Sequence, residues 1–390
     1  VVIGGFSGRA ARDACPGALQ VHVAADGALA RVRVPGGALT TDALRELAAC
    51  AGELGNGIIE LTSRANVQVR GLADPAAFAA RMAAAGLLPS ATHERVRNIV
   101  ASPLSGRSVT GVLDVRPLVA ALDAGLCERP ALAGLPGRFL FALDDGTGDV
   151  LGLGADVTLA AHPVGHPGGD LTLLLAGEPV SSVTAGDAVA VALAAAEVFQ
   201  SVRGDAWRVA ELPDGPATIA ARLPGAVPVT VPVTVAAAEP RKGGVFPQVD
   251  GRIAVDVIVP LGRLTTAQAG LLADLTPAEV RLTPWRTVVL PDLVPEAAGP
   301  VTAALTRAGL VTDPASPYAR LSACTGRPGC AKALADVQAD ALRWAESGLP
   351  ALPEQAGGAV HWAGCERRCG RPRGRVTDVV ATPGGYRVSH

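Results

Sequence analysis

The stretch VPGGALTTDALRELA (Val34–Ala48) returns 225 residues later as VPLGRLTTAQAGLLA (Val259–Ala273). Both copies read strand end, Pro, Gly, Leu-Thr-Thr, then an Ala/Leu-rich helix. Thr40 or Thr41 is the expected N-cap, since a hydroxyl can accept from a free amide of the first turn, and Leu44, Leu47 and Leu54 form one apolar stripe. Thr265 and Thr266 repeat the cap. Further out, IIELTSRANVQVRGL (Ile58–Leu72) matches VRLTPWRTVVLPDL (Val280–Leu293) after a four-residue deletion, and their alternation of apolar residues predicts strands. AAAGLLP around Gly86 matches TRAGLVT around Gly309, each glycine being an expected helix C-cap, and Arg97 matches Arg320. RFLFAL from Arg138 aligns with HWAGCE from His361, and ADVTLAA at Asp156 with TDVVATP at Asp378. The chain thus reads as two pseudo-equivalent halves joined by a Pro-rich segment. Duplication of this kind places a site at the seam, where pockets concentrate.

Composition agrees with a large soluble body. A length of 390 residues predicts two to three domains. Hydrophobic residues make up 49% and aromatics only 3%, so the core must be built from Ala, Val and Leu. Gly 46 and Pro 31 demand many turns. Lys plus Arg (34) nearly cancels Asp plus Glu (36), which argues against a general nucleic-acid binder and makes any anion site a local cluster of cations. The longest uncharged run, Leu223–Ala238, holds 16 residues and three prolines, so no membrane span is expected. Without a basic, apolar leader the expected location is cytoplasmic. The first residue is Val1, so the numbered start need not be the natural one.

Seven cysteines are distributed unevenly. Cys15, Cys50 and Cys127 are isolated and read as small buried hydrophobes. Cys324, Cys330, Cys365 and Cys369 form C-x5-C and, 34 residues on, C-x3-C. An odd total without a leader is a poor disulfide framework and a better metal or cofactor set. Neither spacing suits a zinc knuckle, whereas a cubane iron–sulfur cluster accepts looser spacing from loops rich in glycine, here Gly326, Gly329, Gly364 and Gly370. Zinc and incidental thiols are the other readings. The repeat aligns these cysteines with Ala101, Arg107, Ala142 and Gly146, so only the second half carries the set.

A second constellation is Thr62-Ser63-Arg64-Ala65-Asn66-Val67-Gln68. On a strand Thr62, Arg64, Asn66 and Gln68 share one face, and a guanidinium amid polar groups suits a carboxylate-rich ligand. A solvent-facing polar strand is the plainer reading. Arg97, Asn98 and Arg138 add polar groups from the same half. Arg367, Arg368, Arg371, Arg373 and Arg375 surround the second cysteine pair, either as a solvated loop or as cations for an acidic reductant or substrate carboxylates. No complete dinucleotide or Walker motif is present, so electrons must come from an external donor.

Together, the proline-glycine-Thr strand, T-x-R-x-N-x-Q, Arg97-Asn98, the C-x5-C/C-x3-C set and the two-copy plan resemble the sulfite and nitrite reductase superfamily over nearly the whole chain. Within it, Thr283-Pro-Trp-Arg286, LPGRFLFALDDGTGDV and HWAGCERRCGRP resemble the precorrin-3B synthases of oxygen-dependent cobalamin synthesis. The resemblance implies an α+β fold, a pseudo-twofold duplication of a ferredoxin-like half-domain plus an α/β domain of the iron–sulfur and tetrapyrrole type. The expected layout is a half-domain at 12–75, an α/β domain at 76–210, a linker at 211–240, a second half-domain at 241–295 and a cluster-bearing α/β domain at 296–390. It further implies that Cys324, Cys330, Cys365 and Cys369 ligate a [4Fe-4S] cluster. Arg64 and Arg97 match cations that hold tetrapyrrole carboxylates or the substrate anion, with Thr62, Asn66, Gln68, Asn98 and Arg138 around them. The paired-lysine motif of the reductases falls on Gly137-Arg138-Phe139-Leu140, where Leu140 removes one cation.

The reaction so implied takes precorrin-3A, O2 and electrons from a ferredoxin, a reductase or an NADH-linked donor to precorrin-3B, by C20 hydroxylation and γ-lactone formation. A mononuclear non-haem iron is implied beside the cluster. His22, His93, His162, His166 and His361 are available to it, and the close pair His162/His166 reads as a loop. The second reading is a siroheme-dependent sulfite or nitrite reductase, and the third an iron–sulfur electron carrier. No membrane or nucleic-acid partner is expected.

Overall fold

The computed structural model describes residues 13, 15–163, 170–224, 237–238, 242–348 and 358–389. The first half runs β1 (His22–Ala24), β2 (Gly27–Val32), β3 (Ala38–Thr40), α1 (Thr41–Leu54), β4 (Ile58–Leu61), β5 (Val67–Leu72) and α2 (Pro75–Ala84). It continues through β6 (Ile99–Ala101), α3 (Arg116–Cys127), β7 (Phe141–Asp144), β8 (Val157–Ala161), β9 (Leu171–Leu175), β10 (Glu178–Val183), α4 (Ala188–Val202) and α5 (Gly215–Ala220). The second half repeats the plan with β11 (Gly244–Pro247), β12 (Ile253–Ile258), β13 (Arg263–Thr265), α6 (Thr266–Leu275), β14 (Glu279–Leu282), β15 (Thr287–Leu293) and α7 (Ala298–Arg307). It ends with β16 (Leu321–Ala323), α8 (Val337–Ser347), β17 (Ala359–Ala363), β18 (Val376–Thr382) and β19 (Gly385–Ser389). The result is an α+β fold. Of the expected linker, α5 is helical, and 225–236 and 239–241 lie outside the described residues. No helix among the described residues is long and apolar enough to cross a membrane.

Local chemistry sets the repeated elements. The Thr40 hydroxyl accepts from the Ala43 amide at the start of α1, and Thr265 forms a full capping box with Gln268 at the start of α6. Gly86 and Gly309 follow α2 and α7 at φ 75° and 76°. Gly37, at φ 70°, has no room for a side chain, since a Cβ there would lie 2.0 Å from the Leu282 carbonyl oxygen.

The two halves exchange strands. One sheet has the order β1-β2-β5-β4-β13 and its counterpart β11-β12-β15-β14-β3, so each ferredoxin-like sheet is completed by a short strand of the other half. Arg263 pairs with Glu60 in one and Thr40 with Glu279 in the other. A single apolar core therefore spans both, with Leu44, Leu47, Val67 and Val69 packed into the same cluster as Leu272, Val288 and Leu290. The two remaining sheets, β6 to β10 and β16 to β19, each start as three parallel strands and close with antiparallel ones.

Ion pairs also cross the seam. Arg107 binds Asp292 through Nε at 2.8 Å and Nη2 at 2.6 Å, and reaches Glu279 at 3.0 Å. The Arg107 hydrogen bonds hold Asp292 down at about 2, against an ordinary 3.8. A depressed carboxyl stabilises the fold above its unfolded pKa and ceases to as pH falls through the folded one. Between about pH 5 and about pH 2.5, urea denaturation of the wild-type protein should therefore show a loss of about 1–2 kcal/mol after solvent screening that Asp292→Asn does not show. Identical pH profiles for the two proteins would remove this pair from the seam's energetics.

Candidate functional site

The cysteine loops leave the carboxyl ends of neighbouring parallel strands, the edge at which α/β sheets bind ligands. Ala323 of β16 pairs with Trp362 of β17, so Cys324 and Cys365 emerge side by side. The Cys324 amide donates to the Trp362 carbonyl at 2.9 Å, and the Gly364 amide donates to Cys324 Sγ at 3.1 Å. Gly364 cannot be another residue without movement, because a Cβ there would stand 2.7 Å from the Ala333 Cβ. The first loop folds back through the Cys330 amide onto Gly326 O at 2.8 Å. The second is anchored by Arg368 and Arg371, which bind the buried Asp378 at 3.1 and 2.9 Å. Arg373 reaches Leu153 O of the first half at 2.7 Å. Of the arginine run, these three are thus tied down, and Arg367 lines a shallow surface cavity with Lys332 and Cys365.

All four thiols are free, and Cys324 feels the charges of both Cys365 and Cys369 while burial pushes its own pKa up. Such a donor set, with glycine amides aimed at sulfur, fits an iron–sulfur cluster. Among the described residues no three His, Cys, Asp or Glu side chains are drawn together to the distance a single metal ion demands. A mononuclear iron therefore gains no assigned ligands. Of its candidate histidines, His93 binds Ser90 and the Arg129 carbonyl and His162 binds Thr172, while His22 is exposed and His361 meets Ser322 through Nδ1 with its buried Nε2 unpartnered among the described residues. His166 lies outside the described residues.

One first-half cation reaches these loops. Arg70 is held by Asp26 and donates to Gly329 O at 3.0 Å, between the two cysteines of the first loop. The expectation that Thr62, Arg64, Asn66 and Gln68 line one strand face is corrected, because residues 62–66 form the hairpin between β4 and β5. Thr62 Oγ1 accepts from the amides of Arg64 and Asn66, and Ala65 turns to φ 54°. The same turn recurs in the second half, where Thr283 accepts from Trp285 and Thr287, and Arg286 takes φ 63°. A hydroxyl that can close a tight turn overrides the alternation. Asn66 is buried, accepting from the Val34 amide and donating to Asn98, which in turn donates to Gly137 O at 2.9 Å. Both asparagines thus serve as buried struts within the first half.

Gln68 bridges Arg31 and Glu60. Arg64 donates to Gly137 O at 3.1 Å. Arg97 forms a fork on Asp123 at 2.7 and 2.6 Å and is 4% exposed. Arg138 is exposed, with its guanidinium 5.7 Å from the Trp207 ring.

Three cations that sequence reasoning passed over complete the site. Arg31 and Arg33 alternate with valines on β2 and its continuation, a pattern visible in ARVRV, and Arg286 extends from the second hairpin past Gly262 toward Gly370. Among the described residues Arg31, Arg33, Arg64 and Arg286 have no carboxylate within ion-pair distance, unlike Arg70, Arg97 and Arg107. Burial first, then Arg31, pulls Arg33 down to about 9. Burial and then Arg208 pull Arg64 down to about 10. Guanidiniums held away from water with no carboxylate in direct contact suit an anion. Cys15, half-buried, feels Arg31 and Arg33. A separate open cavity of about 810 Å3, lined by Asp13, Glu94, Arg95, Arg203 and Trp207, contains none of the predicted residues.

Both ferredoxin-like sheets match the model of the nitrite/sulfite reductase ferredoxin-like half domain, at residues 22–81 and 246–308. The chain belongs to the nitrite and sulfite reductase superfamily. Within it, the chain is 30% identical to the precorrin-3B synthase of a Sinorhizobium species, over 96% of this chain and 82% of that protein. It is 29% identical to the ferredoxin–nitrite reductase of Synechococcus elongatus, over 90% of this chain and 75% of that one. The Mycobacterium tuberculosis NirA protein shares the fold with a TM-score of 0.72 at 23% identity, over 93% of this chain and 73% of that one. These relatives place the chain among oxidoreductases.

Proposed function

We propose that this protein is a precorrin-3B synthase, an oxygen-dependent oxidoreductase acting on the poly-carboxylate precorrin-3A. The observation that carries the reading is the set of guanidiniums, Arg31, Arg33, Arg64 and Arg286, that among the described residues have no carboxylate within ion-pair distance, Arg286 reaching toward Gly370 of the second cysteine loop; the likeness to the Sinorhizobium synthase along almost the whole chain supports it. Arg64 and Arg31 hold ring carboxylates by charge-assisted hydrogen bonds, with Gln68 orienting Arg31 and Gly137 O orienting Arg64. Cys324, Cys330, Cys365 and Cys369 hold a [4Fe-4S] cluster, which when bound supplies single electrons. In the overall reaction one atom of O2 enters the C20 hydroxyl and the other leaves as water, with two electrons from an external donor. Substrate thus occupies a cradle that a reductase gives to its tetrapyrrole cofactor.

A siroheme-dependent reductase is the second reading, favoured by the similarity to ferredoxin–nitrite reductases. Against it stand buried Leu140, where the reductases carry a cation, and Arg138, turned to Trp207. Anaerobic purification followed by iron, acid-labile sulfide and siroheme assays separates the readings. The synthase predicts a cluster without siroheme, and O2-dependent consumption of precorrin-3A. Extractable siroheme favours the reductase, and a cluster with no turnover of precorrin-3A favours the carrier. Arg64→Ala should weaken tetrapyrrole binding by about 1.5–3 kcal/mol, roughly 10- to 150-fold, in a fluorescence-quenching titration. Unchanged affinity takes Arg64 out of the cradle.

A further inference from the structure

The duplication leaves a counterpart of the cysteine site in the first half. Backbone pairing fixes which residues correspond. The Ser102 amide donates to Leu143 O as Cys324 does to Trp362 O, and the Asp145 amide donates to Ser102 Oγ at 3.2 Å as Gly364 does to Cys324 Sγ. The position of Cys324 is therefore held by Ser102, one residue from the Ala101 that the sequence offset indicated. By the same pairing Gly146 and Val150 hold the positions of Cys365 and Cys369, and the loop that carries them is acidic, with Asp144, Asp145 and Asp149.

The facing wall is inverted as well. On the second-half sheet Asp256 stands at the repeat position of Arg31, Trp285 at that of Arg64 and Val289 at that of Gln68. A cationic cradle has become an acidic and aromatic one. Asp145, Asp149, Asp256, Phe246, Trp285 and Val289 line one cavity of about 250 Å3.

Among the described residues, two carboxylate oxygens in this cavity have no hydrogen-bond partner. Asp145 is 1% exposed; its Oδ1 accepts from the amide and hydroxyl of Thr147, while Oδ2 has no hydrogen bond. Asp256 is 3% exposed; its Oδ2 accepts from the Gly243 amide, while Oδ1 has none. Gly111 leaves the space over Asp145 open, since a Cβ there would come within 2.7 Å of Oδ2. Buried acceptors left unpaired are costly and rare, and a carboxylate oxygen so placed calls for a donor or a positive charge. Burial raises the pKa of all three acids, Asp149 to about 7 and Asp256 to about 6, as expected of carboxylates with too little positive charge nearby. Among the described residues, Lys242 offsets part of the burial of Asp256 from a distance while its ammonium binds the Ala319 carbonyl, and Arg107 is held by Asp292 and Glu279.

We propose that this cavity binds a small organic cation of the alkylammonium class, its charged end on the free oxygens of Asp145 and Asp256 and its carbon body against Trp285 and Phe246. A bare metal ion fits less well, because no three carboxylate, thiol or imidazole groups among the described residues gather for one and because the walls include two aromatic rings and Val289. An aromatic face also attracts an ammonium directly. The inference is independent of the reaction catalysed at the cysteine site.

Trp285 reports on the site. Titrating the purified holoprotein with n-butylammonium chloride, against sodium chloride at equal ionic strength, should give a saturable change in tryptophan fluorescence in roughly the millimolar range or below. The change should vanish in Trp285→Phe and weaken at least about tenfold in Asp145→Asn/Asp256→Asn, whose amides keep the shape and lose the charge. Should the double variant not fold, Asp145→Asn alone carries the comparison. No saturable response, a response unaltered by the aspartate variants, or saturation by magnesium chloride and not by butylammonium would overturn the proposal.

Discussion

Cys369→Ser is expected to abolish the proposed cluster, with iron and acid-labile sulfide falling to background and the proposed O2-dependent turnover lost. Four thiolates hold a cubane, and a serine oxygen is a harder, far more basic ligand, still protonated at neutral pH. Cys369 is the most exposed of the four, so no packing can keep the cluster once its bond is gone. Its loop is meanwhile fixed independently of the thiol, by Arg368 and Arg371 on Asp378. Secondary-structure content and melting of the rest of the molecule should therefore change little, which separates loss of a ligand from loss of the fold. Cys50→Ser is the control, since that thiol lies in the shared core of the ferredoxin-like sheets and should leave iron and sulfide intact. A full complement of iron and sulfide in Cys369→Ser would refute its role as ligand.

Arg97→Ala is expected to cost about 3 kcal/mol of stability while leaving the tetrapyrrole affinity of the folded protein unchanged. The side chain is buried, forks onto Asp123 and donates to Leu87 O at 3.2 Å. Removing one partner of a buried pair strands the other, at about 3–5 kcal/mol; Asp123 keeps some contact with water, which places the effect at the low end. Urea denaturation measures the first quantity and a binding titration the second. An affinity loss like that of Arg64→Ala, with stability intact, would return Arg97 to the cradle that the family resemblance implies. The contrast between these arginines rests on partners: Arg97 has a carboxylate, and Arg64 has only a carbonyl oxygen.

Much of this was legible in the residues. The Thr-Thr caps, the Gly86 and Gly309 stops and the strand pattern are local signals, set by contacts within a turn or two, and the structure reproduces them in both copies. Three features were not. The Thr62 turn hid inside an alternating pattern, because its signal is a hydroxyl closing a loop, and periodicity does not register that. The register between the two parallel sheets slipped: Asp156 was matched with Asp378, whereas strand pairing sets Thr158 opposite Ala142 and Asp378 opposite His361. Strands of Ala, Val and Leu carry no landmark to pin such a shift. Arg31 and Arg33 were visible as an alternating pair on β2 and its continuation, but nothing local told them apart from surface cations.

By itself the sequence determined the duplication, the repeated helices and strands, and the confinement of four paired cysteines to one half. These depend on identity and spacing along the chain. Only the tertiary structure decided that β3 and β13 trade places between the sheets, that Arg97 is neutralised while Arg31, Arg33 and Arg64 are not, and that Ser102, Asp145 and Asp256 stand where Cys324, Gly364 and Arg31 stand in the other copy. The physical reason is distance along the chain. A guanidinium's chemistry is set by whether a carboxylate reaches it, and across this seam the groups that meet belong to different halves, as Arg70 meets Gly329 and Arg107 meets Asp292.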